Sequence, residues 1–330
     1  MSRNINIRNR GGRNPVFDIM KGIGILCVMI GHTTWMPGWL DRIVYSFYIP
    51  LFFIVAGLFS KTYDEVKENK IEYIKHLAHR LLVPYVLVMI AVCVGAGVQA
   101  LKYDQPQLLT HNVVRYLFAL DYCYPDTLFD LWVSAVWFLP ALFWSKVFFL
   151  FITQSKQWGH LICIVLAVAM ILLHPYVVTP LCIGRGVEGL FFIVCGWWFR
   201  HNSMPWWGIV LCVCFCVVSM LLGKIDLCAF QFNCLLIDLI GSIGGTMVVY
   251  FLSLFLSKIK GICLVLSWMG MHSMGILCLH TIESSIPVIH VLVDFLSFGL
   301  SAFVYFGLKH LATIVSVAIL SKVPVVKKYL

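Results

Sequence analysis

The chain has 330 residues, 61% hydrophobic and only 12% charged, with a mean hydropathy of +0.92. A soluble chain carries about 25% charged residues, so the composition excludes a soluble globular domain and describes one polytopic, all-α membrane domain. The net charge of +9 reads as orientation in a lipid bilayer, with no nucleic-acid partner implied.

A basic tail over residues 1–15 carries Arg3, Arg8, Arg10 and Arg13. The apolar run that follows, 16–36, is expected as a retained first span. It is long for a secretory signal, has no small-x-small cleavage site, and contains Asp18, Lys21 and His32. A span needs about 20 mainly apolar residues. Further runs stand at 43–60, 81–101, 130–152, 160–175, 181–200, 206–223, 232–256, 262–281 and 292–320. The expectation is thus ten transmembrane helices in a membrane domain over 16–322, closed by a short tail over 323–330.

Lysine and arginine test this map. With the N-terminus in the cytoplasm, Lys61, Lys67, Lys70, Lys75, Arg80, Lys156, Arg200, Lys258, Lys260, Lys322, Lys327 and Lys328 join the N-terminal arginines on the cytoplasmic side. Only Arg42, Lys102, Arg115 and Lys224 fall opposite. That bias favours both termini in the cytoplasm. The inner loop 61–80 is charged and helix-compatible. The outer loop 102–129 mixes Asp104, Asp121 and Asp126 with Tyr103, Tyr116, Tyr122 and Tyr124, a composition that suits sugar stacking or an interfacial belt.

The 13 cysteines make no metal or disulfide framework. Cys212, Cys214 and Cys216 are successively about 200° apart on a helix and cannot share one ion. A bridge among the loop residues Cys123, Cys228 and Cys234 stays open. No phosphate-binding loop, dinucleotide fingerprint or zinc-protease motif is present.

The informative charges are in the first span. Lys21 and His32 are eleven residues apart, three helical turns plus about 20°, so they share a face roughly 16 Å apart along the axis. Asp18 is three residues before Lys21, within salt-bridge reach. Ionisable groups at hydrocarbon depth are costly and mark functional sites.

Lys21 and His32 form an R/K-x10-H pattern. It is followed by Ser46-Phe47-Tyr48-Ile49-Pro50, by Arg80-Leu81-Leu82-Val83-Pro84-Tyr85, by Trp137-Phe138-Leu139, and by Gly270-Met271-His272-Ser273-Met274 closing on His280. In this order over nearly the whole chain, the motifs resemble the acyltransferase-3 family of integral membrane acyltransferases, most of all its fucose 4-O-acetylase-like members. The family often has His where Tyr48 stands and Asn where His272 stands. The resemblance implies transfer of an acyl group, usually acetyl, from an acyl-coenzyme A to a hydroxyl of a cell-envelope or lipid-linked sugar, in the cytoplasmic (inner) membrane. Acetyl-coenzyme A is then a consumed donor.

Such chemistry needs a base for the alcohol and a counter-charge for the donor. Imidazole, with a pKa of about 6.5, takes and releases a proton near neutrality, so His32 is the expected base, with Asp18 and Lys21 beside it in the catalytic group. Lys21, Lys75 and Arg80 are the expected donor-phosphate contacts. Arg185, Glu188, Trp137 and His280 are the expected acceptor-side residues, Arg185 and Glu188 being three apart on one helix. The competing reading is a transporter or flippase of a lipid-linked saccharide, which also places charges at the midplane without covalent chemistry.

Overall fold

The computed structural model describes residues 8–9, 12–32, 37–66, 68–121, 133–174, 176–285 and 302–322. The described chain is a set of helices, with one two-residue antiparallel pairing of Arg8–Asn9 and Gly12–Arg13 at the N-terminus. Helix α1 spans Pro15–Gly31, α2 Gly38–Tyr45, α3 Tyr48–Leu58, α4 Lys70–Tyr103 and α5 Gln107–Phe118. A 3-10 turn over Ala135–Trp137 leads into α6, Phe138–Ile152. Then follow α7 Gly159–Leu173, α8 Ile183–His201, α9 Trp206–Leu222, α10 Leu235–Leu256, α11 Lys260–Met271, α12 Ser273–Ser285 and α13 Ala302–Leu320.

Local signals explain the element ends. Asn14 caps α1 by accepting the Val16 N–H at 3.0 Å, with Pro15 next to it. Both residues favour a helix start, and Asp18 in the first turn complements the positive end of the helix dipole. Pro50 falls in the first turn of α3, where its missing N–H is not needed. Helix α4 ends on Asp104 and α5 on Ala119, both in the left-handed region.

Four helical stretches among the described residues are long and apolar enough to cross a membrane: Gly38–Leu58, Lys70–Tyr103, Ala135–Ile152 and Leu235–Leu256. The pair α11 and α12 passes the same test as one broken span, and α7 and α9 are shorter apolar helices. The chain is an all-α, multi-pass membrane protein. Most helices fall on the apolar runs read from sequence, with three differences. The charged loop 61–80 is continuous with its span from Lys70, giving α4 a length of about 51 Å. The outer loop 102–129 contains α5. The run 262–281 is broken at His272 (φ −102°, ψ 15°), whose ring stacks on Trp268 at 4.5 Å. Tyr122, Cys123, Tyr124, Asp126, residues 292–301 of the expected tenth span and the tail 323–330 lie outside the described residues.

The chain forms two compact units. The first comprises Met1–Lys67, Ser145–Leu172 and Val187–Ser273; the second comprises Glu68–Trp144, Leu173–Gly186 and Met274–Leu330. In the first, α1 packs on α3, α10 and α11, and α10 packs on α9. Close approach rests on small residues, the usual device where lipid removes the hydrophobic drive between helices. A Cβ on Gly270 would overlap the Asp18 carbonyl, and one on Gly22 the Leu266 carbonyl. Gly270→Ala is therefore expected to lower stability by about 1–3 kcal/mol in detergent unfolding. Gly261→Ala, in open space on the same helix, is expected to be neutral or mildly stabilising.

Polar contacts gather loops at the two ends of this unit. At one end Thr153 Oγ1 accepts the Tyr63 N–H at 3.1 Å, Lys156 pairs with Asp64 at 3.0 Å, and Arg200 with Glu65 at 3.7 Å. At the other end of α9, Lys224 pairs with Asp41 at 3.0 Å. Segments expected to share a side of the membrane thus share an end of the unit.

In the second unit α4 packs on α5, and the Tyr85 hydroxyl donates to the Tyr116 carbonyl at 2.5 Å. The N–H groups of Leu181 and Cys182 donate to the carbonyls of Phe118 and Ala119 at 2.6 and 3.0 Å. This ties the chain before α8 to the end of α5.

Candidate functional site

The first unit holds Asp18, Lys21 and His32 on α1. Asp18 is buried, and its carboxylate meets the Lys21 ammonium at 2.8 Å. The expected i,i+3 pair is formed. Gly270 presses on the backbone of Asp18, so α11 fixes the turn that carries the pair.

His32 is the C-cap of α1 and is exposed. Its N–H donates to Val28 at 3.2 Å, so the helix runs unbroken from the ion pair to the histidine. The shared face and the separation of about 16 Å therefore stand as geometry.

Around that helix end lies a group of residues that the sequence did not single out together. The Tyr45 hydroxyl donates to the Gly31 carbonyl at 3.2 Å. Lys224 Nζ lies 3.5 Å from the Tyr45 ring centroid and pairs with Asp41 one turn before Tyr45 on α2. Tyr48 is buried and meets Tyr45 edge to face, with centroids 5.1 Å apart. Burial pulls the Lys224 ammonium down, but the Asp41 hydrogen bond and the Asp41 and Asp226 charges help to outweigh it and leave its pKa raised. Lys224 is a fixed cation at neutral pH. Glu188, on the part of α8 in this unit, is buried at 1% exposure.

The second unit brings Arg185 and Trp137 together. The Arg185 guanidinium stands over the Trp137 ring at 5.0 Å. Its acidic neighbour in this unit is Asp121: Nε lies 3.8 Å from the carboxylate, and Nη2 donates to the Asp121 carbonyl at 3.3 Å. The Asp121 carboxylate also accepts the Thr179 hydroxyl and the Gly184 N–H, the latter at 3.1 Å. Both side chains of the ion pair are fully buried. Burial pushes the Asp121 carboxyl above the usual range, against the opposing pull of Arg185 and these hydrogen bonds.

His280 is also buried, and its ring lies 5.6 Å from that of His310 on α13. One turn on, Glu283 accepts the Thr313 hydroxyl. Lys75 and Arg80 are exposed on the first turns of α4. Among the described residues no group of three His, Cys, Asp or Glu is placed to hold a metal ion, and neither Cys228 nor Cys234 is in a disulfide.

No curated protein and no solved structure matches the chain. The profile of the acyltransferase-3 family, described as an acyltransferase domain, matches residues 14–322. That interval takes in α1 with its ion pair and histidine, both units, and every helix described above; the chain belongs to the acyltransferase-3 family of membrane acyltransferases.

Proposed function

We propose that this membrane acyltransferase moves an acetyl group from acetyl-coenzyme A to a hydroxyl of a cell-envelope or lipid-linked sugar, with His32 as general base. The observation that carries the reading is the single helix α1. It holds a paired Lys21 near its start and an exposed His32 at its end, inside the interval matched by the family.

The chemistry follows from the residues. The His32 imidazole takes the proton of the acceptor hydroxyl as its oxygen attacks the thioester carbonyl. The C–S bond of the tetrahedral intermediate breaks, and the imidazolium returns the proton to the departing thiolate. Products are the ester and free coenzyme A, and the histidine is unchanged. Lys21 supplies a cation along the donor's path, with Asp18 orienting its ammonium. Lys75 and Arg80 are the proposed phosphate contacts, reachable because they are exposed. Glu188 and His280 are the proposed acceptor-side groups, and Arg185 with Trp137 acts through the loop it fixes.

The topology proposed with this reading has ten spans and both termini in the cytoplasm of the inner membrane. Support comes from the lysine and arginine bias and from the grouping of Asp64, Glu65, Lys156 and Arg200 at one end of the first unit. A fucose 4-O-acetylase-like subtype is part of the same proposal. Mass spectrometry of envelope glycans from cells with and without the protein tests the reaction. One acetyl increment per modified sugar, present only with the protein, is the expected result; identical glycan masses would refute it.

A further inference from the structure

The last four carbonyls of an α-helix have no partner within the helix. At the end of α1 one of them, that of Gly31, accepts the Tyr45 hydroxyl at 3.2 Å. The ring lies against Gly31 so closely that a Cβ there would stand 3.1 Å from Tyr45 Cε2. His32 is the next residue. The peptide that carries the imidazole is therefore held from outside α1 by one aromatic side chain.

That side chain is itself held. Lys224 Nζ lies 3.5 Å from its ring centroid, within cation–π range. Asp41 fixes the ammonium at 3.0 Å. Lys224 is in the segment after α9, where its carbonyl accepts the Asn233 side-chain amide at 3.2 Å. Three parts of the chain, α2, the segment after α9 and the end of α1, meet on the Tyr45 ring.

From this chain of contacts, which rests on His32 being the base, we infer that Tyr45 and Lys224 are positioning residues for acyl transfer, with Asp41 holding Lys224 in place. They touch neither donor nor acceptor. Lys224 fixes the ring, the ring fixes the Gly31–His32 peptide, and the imidazole is thereby aimed at the acceptor hydroxyl. A misplaced base slows the chemical step and leaves donor binding alone, because misplacement of about 1 Å costs up to about 10²-fold in rate.

The test uses the full-length protein in proteoliposomes, with labelled acetyl-coenzyme A and envelope glycan as acceptor. Tyr45→Phe and Lys224→Met are each expected to lower kcat by about 10- to 100-fold, with KM for acetyl-coenzyme A within about twofold of wild type. Lys224→Arg is expected to keep kcat within about threefold, since guanidinium both pairs with carboxylate and stacks on an aromatic face. The Tyr45→Phe/Lys224→Met double variant is expected to be no slower than the worse single, as for residues acting in series. A rise in KM at unchanged kcat, additive losses, or an Arg variant as slow as the Met variant would overturn the inference. If Lys224→Met fails to fold, Tyr45→Phe and Lys224→Arg still decide it. His32→Ala in the same assay separates the two claims. A fully active His32→Ala removes the base itself, whereas an inactive His32→Ala beside an unimpaired Tyr45→Phe and Lys224→Met removes only the positioning role.

Discussion

Replacing His32 by Ala is expected to lower acyl transfer by about 10²- to 10⁴-fold, the range that a positioned general base contributes. Thermal unfolding of the detergent-solubilised protein is expected to change little. His32 is exposed, and the hydrogen bond that caps α1 comes from its backbone N–H to Val28, which Ala retains. The loss should fall on kcat. If Lys21 contacts the donor as proposed, Lys21→Gln should act on the other parameter, raising KM for acetyl-coenzyme A with a smaller effect on kcat. Steady-state kinetics on the two variants distinguishes them. Equal effects on both parameters in both variants would mean that α1 is a structural unit and not a divided active site.

The second large effect is on stability. Asp121→Ala removes a carboxylate buried beside the Arg185 guanidinium, and breaking a buried ion pair costs about 3–5 kcal/mol. Arg185 retains the Asp121 backbone carbonyl and the Trp137 face, which places the expected loss near the lower end of that range. Asp121→Leu combined with Arg185→Met is expected to recover most of the loss, since apolar residues of similar size often replace a buried ion pair without penalty. Burial raises the Asp121 carboxyl above its unfolded value. Its contribution is then fully present below the unfolded pKa and is lost as pH rises through the folded one. Between those two values protonation relieves a buried charge while the carboxyl keeps its Thr179 and Gly184 hydrogen bonds, which Leu cannot make, so the wild type should gain stability on acidification and Asp121→Leu should lack that gain. Unfolding midpoints measured across the window check both signs.

Both effects trace to features that differ in how openly the sequence displays them. The start of helix α1 was legible from the apolar run that begins at 16, and the i,i+3 spacing of Asp18 and Lys21 foretold their contact; its end was not, since the run was expected to continue to 36 and the helix closes at Gly31. The Arg185–Asp121 pair was not legible. The two residues are 64 positions apart, a separation that helical spacing cannot connect. The break at His272 was not read from the sequence, although Gly270, His272, Ser273 and Gly275 interrupt the apolar run there, because hydropathy averaged over a span does not report whether a helix is continuous. The Tyr45 clamp left one faint trace. Gly31 next to the motif histidine is a residue without a side chain where another ring must lie, but nothing in a single chain says that the ring is Tyr45. The second histidine beside His280 was equally out of reach, since α12 and α13 meet only in the folded unit.

The central claim is that the protein breaks a thioester and does not merely move a saccharide. Proteoliposomes containing wild-type protein, envelope glycan and labelled acetyl-coenzyme A test it directly, with coenzyme A thiol and glycan-bound label followed together. Stoichiometric appearance of thiol and labelled glycan with wild type, and neither with His32→Ala, is the predicted result. Saccharide crossing the bilayer with no thiol released and no label transferred would contradict it.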